Sequence, residues 1–163
     1  MQTDLAKNLI SECRLKDIKL LAAESCTGGL LSANLTSISG CSDVFLHSII
    51  CYSNQSKIEF LNVNKTTLNH WGAVSKQTVE QMLIGLKDQG PKRSLGIAIS
   101  GVAGPQNSEK KPVGKVFIGI IGSFCDLALI REFNFGNLER TKIQQQSVKE
   151  AFSLCLHHVK LIK

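Results

Sequence analysis

The stretch Ala23-Glu24-Ser25-Cys26-Thr27-Gly28-Gly29 follows an apolar run, Ile18-Lys19-Leu20-Leu21-Ala22, and precedes an apolar-periodic segment from Leu30 to Ile38. That order predicts a buried strand, a tight glycine turn and a helix. A turn of this kind leaves backbone N–H groups unpaired at the start of a helix, facing whatever lies in front of them. It also brings small hydroxyl and thiol side chains to the edge of a sheet, within reach of a substrate. The same residues suit a structural reading equally well, a Ser/Thr helix cap followed by two turn glycines. The heptapeptide alone does not choose between them.

On its amino-terminal side, Asp4 to Cys13 reads as an amphipathic helix with Leu5, Leu9, Ile10 and Cys13 on one face, and Asp17 closes the connection to a first strand, Ile18 to Ala23. On the other side, the second helix runs to about Ile38 and Ser39-Gly40-Cys41-Ser42 is a loop by composition. Val44 to Tyr52, rich in β-branched and aromatic residues, predicts a strand. Ser53-Asn54 then signals the cap of a short helix, Gln55 to Leu61. Asn62-Val63-Asn64 is a turn, Thr66 to Trp71 one helical turn ending at Gly72, and Ser75 caps a helix to about Lys87 that buries Val79, Met82, Leu83 and Leu86. Leu95 to Ser100 is a short, continuous apolar run, which suits a strand covered on both faces. Gly101 to Pro112 is loop-like. Val113 to Gly122 and Leu127 to Phe135 alternate like strands around Ser123-Phe124-Cys125-Asp126, an antiparallel hairpin, and a last helix from about Glu139 to Val159 turns Ile143, Val148, Ala151, Phe152 and Cys155 inward. The sum is one domain, 1–163, of α/β class: a three-layer α/β/α arrangement with a mixed, mostly parallel sheet.

Composition narrows the function classes. With 163 residues, 43% hydrophobic and 20% charged, the chain suits a globular domain with a real core. No apolar run approaches the roughly 18 residues that span a bilayer, so a membrane role is not expected. The first residues lack a basic segment followed by an apolar one, which makes a cytoplasmic location the default. The net charge of +6 is scattered and aromatic residues make up only 6%, so no stacking platform for nucleic acid is evident. A small phosphorylated substrate is compatible with the same charge. Six cysteines without a C-x-x-C pair read as reduced thiols, and the four histidines build no metal site.

Three segments put small, polar or charged residues at the carboxyl ends of expected strands, where α/β sheets usually carry their sites: Glu24 to Gly29, Tyr52 to Lys57, and Ser100 to Pro105. A serine nucleophile needs a base, and a lysine desolvated among apolar groups can accept its proton. Tyr52 and Lys57 lie five apart across a strand-to-helix boundary, so both can face one pocket. Structural readings stand beside each: Tyr52 as a core aromatic, Lys57 as a solvated charge, Ser53-Asn54 as simple capping, and Glu24 as a partner for the turn's backbone donors.

Taken in order, Ala23-Glu24-Ser25-Cys26-Thr27-Gly28-Gly29, Tyr52-Ser53-Asn54 with Lys57, Gly72-Ala73-Val74-Ser75, Ser100-Gly101-Val102-Ala103-Gly104-Pro105 and Lys111-Pro112-Val113-Gly114 resemble the CinA carboxy-terminal domain family over nearly the whole chain. Stand-alone members of that family are nicotinamide-nucleotide amidases. The resemblance implies hydrolysis of nicotinamide mononucleotide to nicotinic acid mononucleotide and ammonia, without metal or cofactor, in a homo-oligomer. It implies Ser25 as nucleophile, Lys57 as general base and Tyr52 as an assisting hydroxyl. Thr27, Gly28, Gly29, Asn54, Ser100, Gly101 and Arg140 are the implied substrate contacts, with Arg140 on the phosphate and the Cys26–Gly29 turn on the oxyanion.

The chain departs from the family pattern in three places. Gly136 and Arg140 are separated by two extra residues, Gln144 stands where a basic residue is usual, and the loop Gln106-Asn107-Ser108-Glu109-Lys110 lacks the usual glycine run and is one residue short. Two rival readings remain. Cys26 could be the nucleophile, since a thiolate at a helix start is activated, though no histidine pairs with it. The chain could instead be a non-catalytic nucleotide- or protein-binding module.

Overall fold

The computed structural model describes residues 2–123 and 128–162, and the expected hairpin turn at Phe124-Cys125-Asp126, with Leu127, lies outside them. The elements are α1 (Gln2–Leu15), β1 (Lys19–Glu24), α2 (Leu30–Thr36), a short 3-10 turn (Cys41–Asp43), β2 (Phe45–Ile50), α3 (Asn54–Leu61), α4 (Lys65–Trp71), α5 (Lys76–Lys87), β3 (Ser94–Gly101), β4 (Lys115–Gly122), β5 (Leu129–Asn134) and α6 (Arg140–Leu161). The five strands form one sheet in the order β2-β1-β3-β4-β5. β1 pairs in parallel with both β2 and β3, whereas β4 is antiparallel to β3 and to β5. Four strands therefore share one direction and β4 alone opposes them.

Side-chain alternation along the strands divides the core into two layers. Leu20, Ala22, Leu95, Ile97, Ile99, Val116, Ile118 and Ile120 pack with α1, α2 and α6 on one face. Leu21, Ala23, Ala98, Phe117 and Ile121 pack with α5 and with Leu61 and Leu68 on the other. The helices answer with the expected period: Ala6, Leu9, Ile10 and Cys13 of α1 are buried, as are Ile143, Val148, Ala151, Phe152 and Cys155 of α6. The three layers are those read from the sequence.

The differences are at element ends. β2 stops at Ile50 rather than Tyr52, because the next N–H, that of Cys51, bonds to Glu24 O at 2.9 Å and the chain turns into the Ser53 cap. β4 starts at Lys115 rather than Val113, since Gly114 has a positive φ of 88° and its N–H bonds to Val102 O. α2 ends at Thr36, two residues early, and the 39–42 loop is partly a 3-10 turn. Because β1, β2 and β3 run in parallel, their carboxyl ends share one edge. The 102–114 connection arches over that edge before β4 returns beside β3.

Candidate active site

Ser25 follows directly on β1, and its own N–H bonds to Ile99 O of β3 at 3.0 Å. The turn after it is built around Glu24, which is fully buried. Its Oε2 accepts the N–H groups of Gly29 (3.0 Å) and Leu31 (3.1 Å). Its Oε1 accepts the N–H (3.0 Å) and hydroxyl (2.5 Å) of Ser32, with the Ser48 hydroxyl at 3.5 Å. Glu24 thus satisfies the orphan donors at the start of α2 from outside the helix, a charge-assisted cap on its positive end. Gly28 and Gly29 sit at φ 58° and 99°, which the sharp reversal requires and which only glycine adopts freely.

The turn's donors are divided. The Gly28 N–H goes to Ser25 O at 3.2 Å and the Gly29 N–H to Glu24, so neither glycine has its N–H free for a ligand. The Cys26 and Thr27 N–H groups have no backbone partner among the described residues. Thr27 is buried, and its hydroxyl has no partner among them either.

Lys57 arrives on α3. Ser53 caps that helix through a reciprocal pair, the Ser56 N–H to Ser53 Oγ at 3.0 Å and the Ser53 N–H to Ser56 Oγ at 3.1 Å. Four residues past the cap, Lys57 turns inward and is 0% exposed, the opposite of a solvated surface charge. Its Nζ lies 2.9 Å from Ser25 Oγ, 2.7 Å from Cys51 O and 3.4 Å from Tyr52 O. Among the described residues no carboxylate forms an ion pair with it. Burial lowers its pKa from the usual 10.5, against smaller raising effects of Cys51, Cys26 and Glu109. An amine without a counter-ion, held against a 7%-exposed serine hydroxyl, is arranged to exchange a proton with it.

Cys26, beside Ser25, is equally buried, and desolvation pushes its thiol up to about 12. It remains a thiol at neutral pH, which removes the activation its position suggested.

Ser25 opens into a cleft of about 260 Å³ whose lining includes Cys26, Tyr52, Asn54, Ser100, Gly101 and Arg140. Six of the expected site residues (Ser25, Tyr52, Asn54, Ser100, Gly101 and Arg140) are therefore on one cavity, with Lys57 directly behind Ser25. Thr27, Gly28 and Gly29 are not on its lining. Tyr52 is 62% exposed at the cleft and is not a core aromatic. Ser100 donates its hydroxyl proton to Ala73 O at 2.8 Å. Arg140 Nη2 bonds to Gly104 O, and Gln144 Nε2, one turn along α6, donates to Cys26 O at 2.9 Å.

Three groups at this site make contacts that the sequence did not signal. Gln144 fastens α6 to the Cys26 carbonyl in the turn after β1, while Glu109 and Lys111 tie the arching loop to the 71–74 backbone. Their partners are distant in the chain. Among the described residues no group of three or more His, Cys, Asp or Glu side chains is placed to hold a metal ion, and no helix is long and apolar enough to cross a membrane.

Comparison with known proteins agrees with this architecture. The family model for the CinA C-terminal domain matches residues 2–159. A CinA-like protein of Prochlorococcus marinus (strain AS9601) is 42% identical over 155 residues, 94% of this chain and 35% of its own length. One from Petrotoga mobilis is 48% identical over 140 residues, 85% of this chain and 34% of its own. The chain thus spans about a third of the length of these relatives. The competence/damage inducible protein CihA from Agrobacterium tumefaciens superposes with a TM-score of 0.91 at 33% identity, covering 98% of this chain and 95% of that one. The competence damage-inducible protein A of Klebsiella pneumoniae shares the fold, with a TM-score of 0.93 at 23% identity. With the fold it shares with these structures and a family match over nearly its full length, the chain belongs to the CinA C-terminal domain family.

Proposed function

We propose that this domain is an amidohydrolase that converts nicotinamide mononucleotide and water to nicotinic acid mononucleotide and ammonia. The observation that carries the amidase reading is the surroundings of Lys57 Nζ. A neutral amine has two N–H donors and one lone pair. The carbonyls of Cys51 and Tyr52 accept the two protons, which leaves the lone pair for the Ser25 hydroxyl at 2.9 Å. When Lys57 takes that proton, the same carbonyls steady the ammonium.

In this scheme Ser25 Oγ bonds to the carboxamide carbon and its proton passes to Lys57. The oxyanion is held by the N–H group of Cys26, a donor that the turn leaves over on the cleft lining; one such donor is typically worth about 10²–10³ in turnover. Collapse of the tetrahedral species breaks the C–N bond, and Lys57 returns its proton to the departing ammonia. Water, deprotonated by Lys57, then cleaves the acyl-serine ester and releases the acid. The Tyr52 hydroxyl assists proton movement at the mouth of the cleft. Among the described residues Arg140 keeps N–H groups free beyond its bond to Gly104 O, and these grip the phosphate. The choice of nucleotide and of amide rests on the family resemblance, and the choice of a Ser25 nucleophile with a Lys57 base is supported by the geometry.

The test is ammonia release from nicotinamide mononucleotide by the purified protein and by Ser25→Ala. Release by the parent and none by a folded Ser25→Ala variant supports the scheme. Equal release by both refutes Ser25 as the nucleophile. No release by the parent, with tight nucleotide binding, would favour a binding module instead.

A further inference from the structure

We propose that Glu109, acting with Lys111, is a positioning residue that latches the 102–112 loop onto the 71–74 backbone and so sets the dimensions of the cleft in front of Ser25. The Glu109 carboxylate accepts the Ala73 N–H at 3.0 Å and the Val74 N–H at 3.4 Å. Lys111 Nζ reaches the same carboxylate at 3.3 Å and also donates to Trp71 O at 2.6 Å. Glu109, Ala73 and Val74 all line the cleft, together with Gln106 and Ser108 of the same loop. The latch therefore joins two segments of the cavity wall that lie about 35 residues apart in the chain.

Two further observations mark the latch as a built feature. Glu109 and Lys110 are successive non-glycine residues at φ 52° and 60°, in the left-handed region where a side chain adds strain. The loop lacks the glycines that would occupy such a backbone freely, and the bonds of Glu109 and Lys111 hold it there. Gly72 is the counterpart: a Cβ on it would stand 2.1 Å from Glu109 Oε2 and 2.8 Å from Lys111 Nζ. Only a bare backbone lets the two groups in. The 71–74 segment is secured from its other side, with Gly72 O taken by Ser75 (3.0 Å) and Thr78 (2.6 Å) and Ala73 O by Ser100 (2.8 Å). Glu109 thus anchors the arching loop to a segment that is itself secured.

The kinetic arm of the test rests on the amidase reading, and a second arm does not. In Glu109→Gln one oxygen becomes an NH2 group that meets an N–H donor, so the side chain keeps either the Ala73 bond or the Val74 and Lys111 bonds and loses its charge, which loosens the latch with little change in shape. Hydrogen–deuterium exchange on the full chain is expected to show peptides covering 71–74 and 102–112 exchanging roughly tenfold faster, as loss of a charge-assisted bond implies. With nicotinamide mononucleotide, KM is expected to rise about tenfold while kcat stays within about twofold. A general loss of folded protein would lower kcat and leave KM alone. Unchanged exchange protection overturns the latch, and faster exchange with an unchanged KM overturns its role in shaping the cleft. If the parent protein releases no ammonia, the amidase reading fails while exchange still decides the latch. Lys111→Met, which removes the second half of the pair, is expected to loosen the same peptides to a smaller extent; no loosening there removes Lys111 from the proposal.

Discussion

Replacing Glu24 with glutamine keeps the shape of a fully buried side chain and alters only what its end can accept. In the parent, Oε2 holds two N–H groups, those of Gly29 and Leu31, and Oε1 holds the N–H and hydroxyl of Ser32. Glutamine has one acceptor, so one of the two positions becomes an NH2 group. At the Oε2 position it would orphan two backbone donors. At the Oε1 position the Ser32 hydroxyl can rotate and accept, and only the Ser32 N–H loses its partner. The second arrangement wins. An orphaned, partly buried N–H costs about 1–2 kcal/mol, and losing a negative charge at the start of α2 costs about 1 kcal/mol more. The expected loss is about 2–3 kcal/mol, which for a chain of this length lowers Tm by roughly 4–12 °C. Thermal unfolding followed by circular dichroism measures it. A Glu24→Gln protein melting within about 1 °C of the parent would refute the reasoning, because the carboxylate would then not be what holds the turn.

Three other predictions concern the amine and the thiol. The rate of amide hydrolysis is expected to rise with pH and level off with a midpoint below 10.5, since burial lowers Lys57 and only its neutral form can take the Ser25 proton; a pH–rate profile checks this, and a limb at or above 10.5 contradicts it. Stability carries the same signature. Between the lowered folded pKa and 10.5 the unfolded chain binds the extra proton, so unfolding free energy rises with pH over that window, and Lys57→Met is expected to abolish this rise and to cut turnover by about 10²–10⁴. Cys26→Ser is expected to keep turnover within about threefold, because a thiol pushed up to about 12 is not the attacking group; loss of activity in that variant together with retention in Ser25→Ala would reverse the assignment.

The layers of this fold are legible in the chain because their signals are local. The apolar run before Glu24, the serine caps at Ser53 and Ser75, and the Leu95–Ser100 run each depend on neighbours within a few residues, and each element formed as read. Much of the cavity was legible for the same reason, since residues at the ends of parallel strands must meet at one edge. What escaped depends on distance or on competition. Nothing in residues 106–111 foretells that Glu109 will meet the amides of Ala73 and Val74, and nothing near Gln144 points to the Cys26 carbonyl. The turn glycines were expected to offer N–H groups to a ligand, but Glu24, five residues earlier than Gly29, claims one of them first. Tyr52 lost its place in the core once β2 ended at Ile50 and the chain swung outward into the cap of α3.

Ser25 and Lys57 lie 32 residues apart on a single β1–α2–β2–α3 crossover. Cys26, Tyr52 and Asn54 on that stretch also line the cavity, but most of its remaining wall comes from far along the chain, at 73–74, 100–109 and 140. On the amidase reading, bond-breaking and most of substrate choice are therefore written on separate stretches of the polypeptide. If that reading holds, swapping residues 102–112 or the first turn of α6 is expected to change which amide is accepted while the Ser25–Lys57 pair stays untouched. A change to the crossover itself would alter the reaction for every substrate at once.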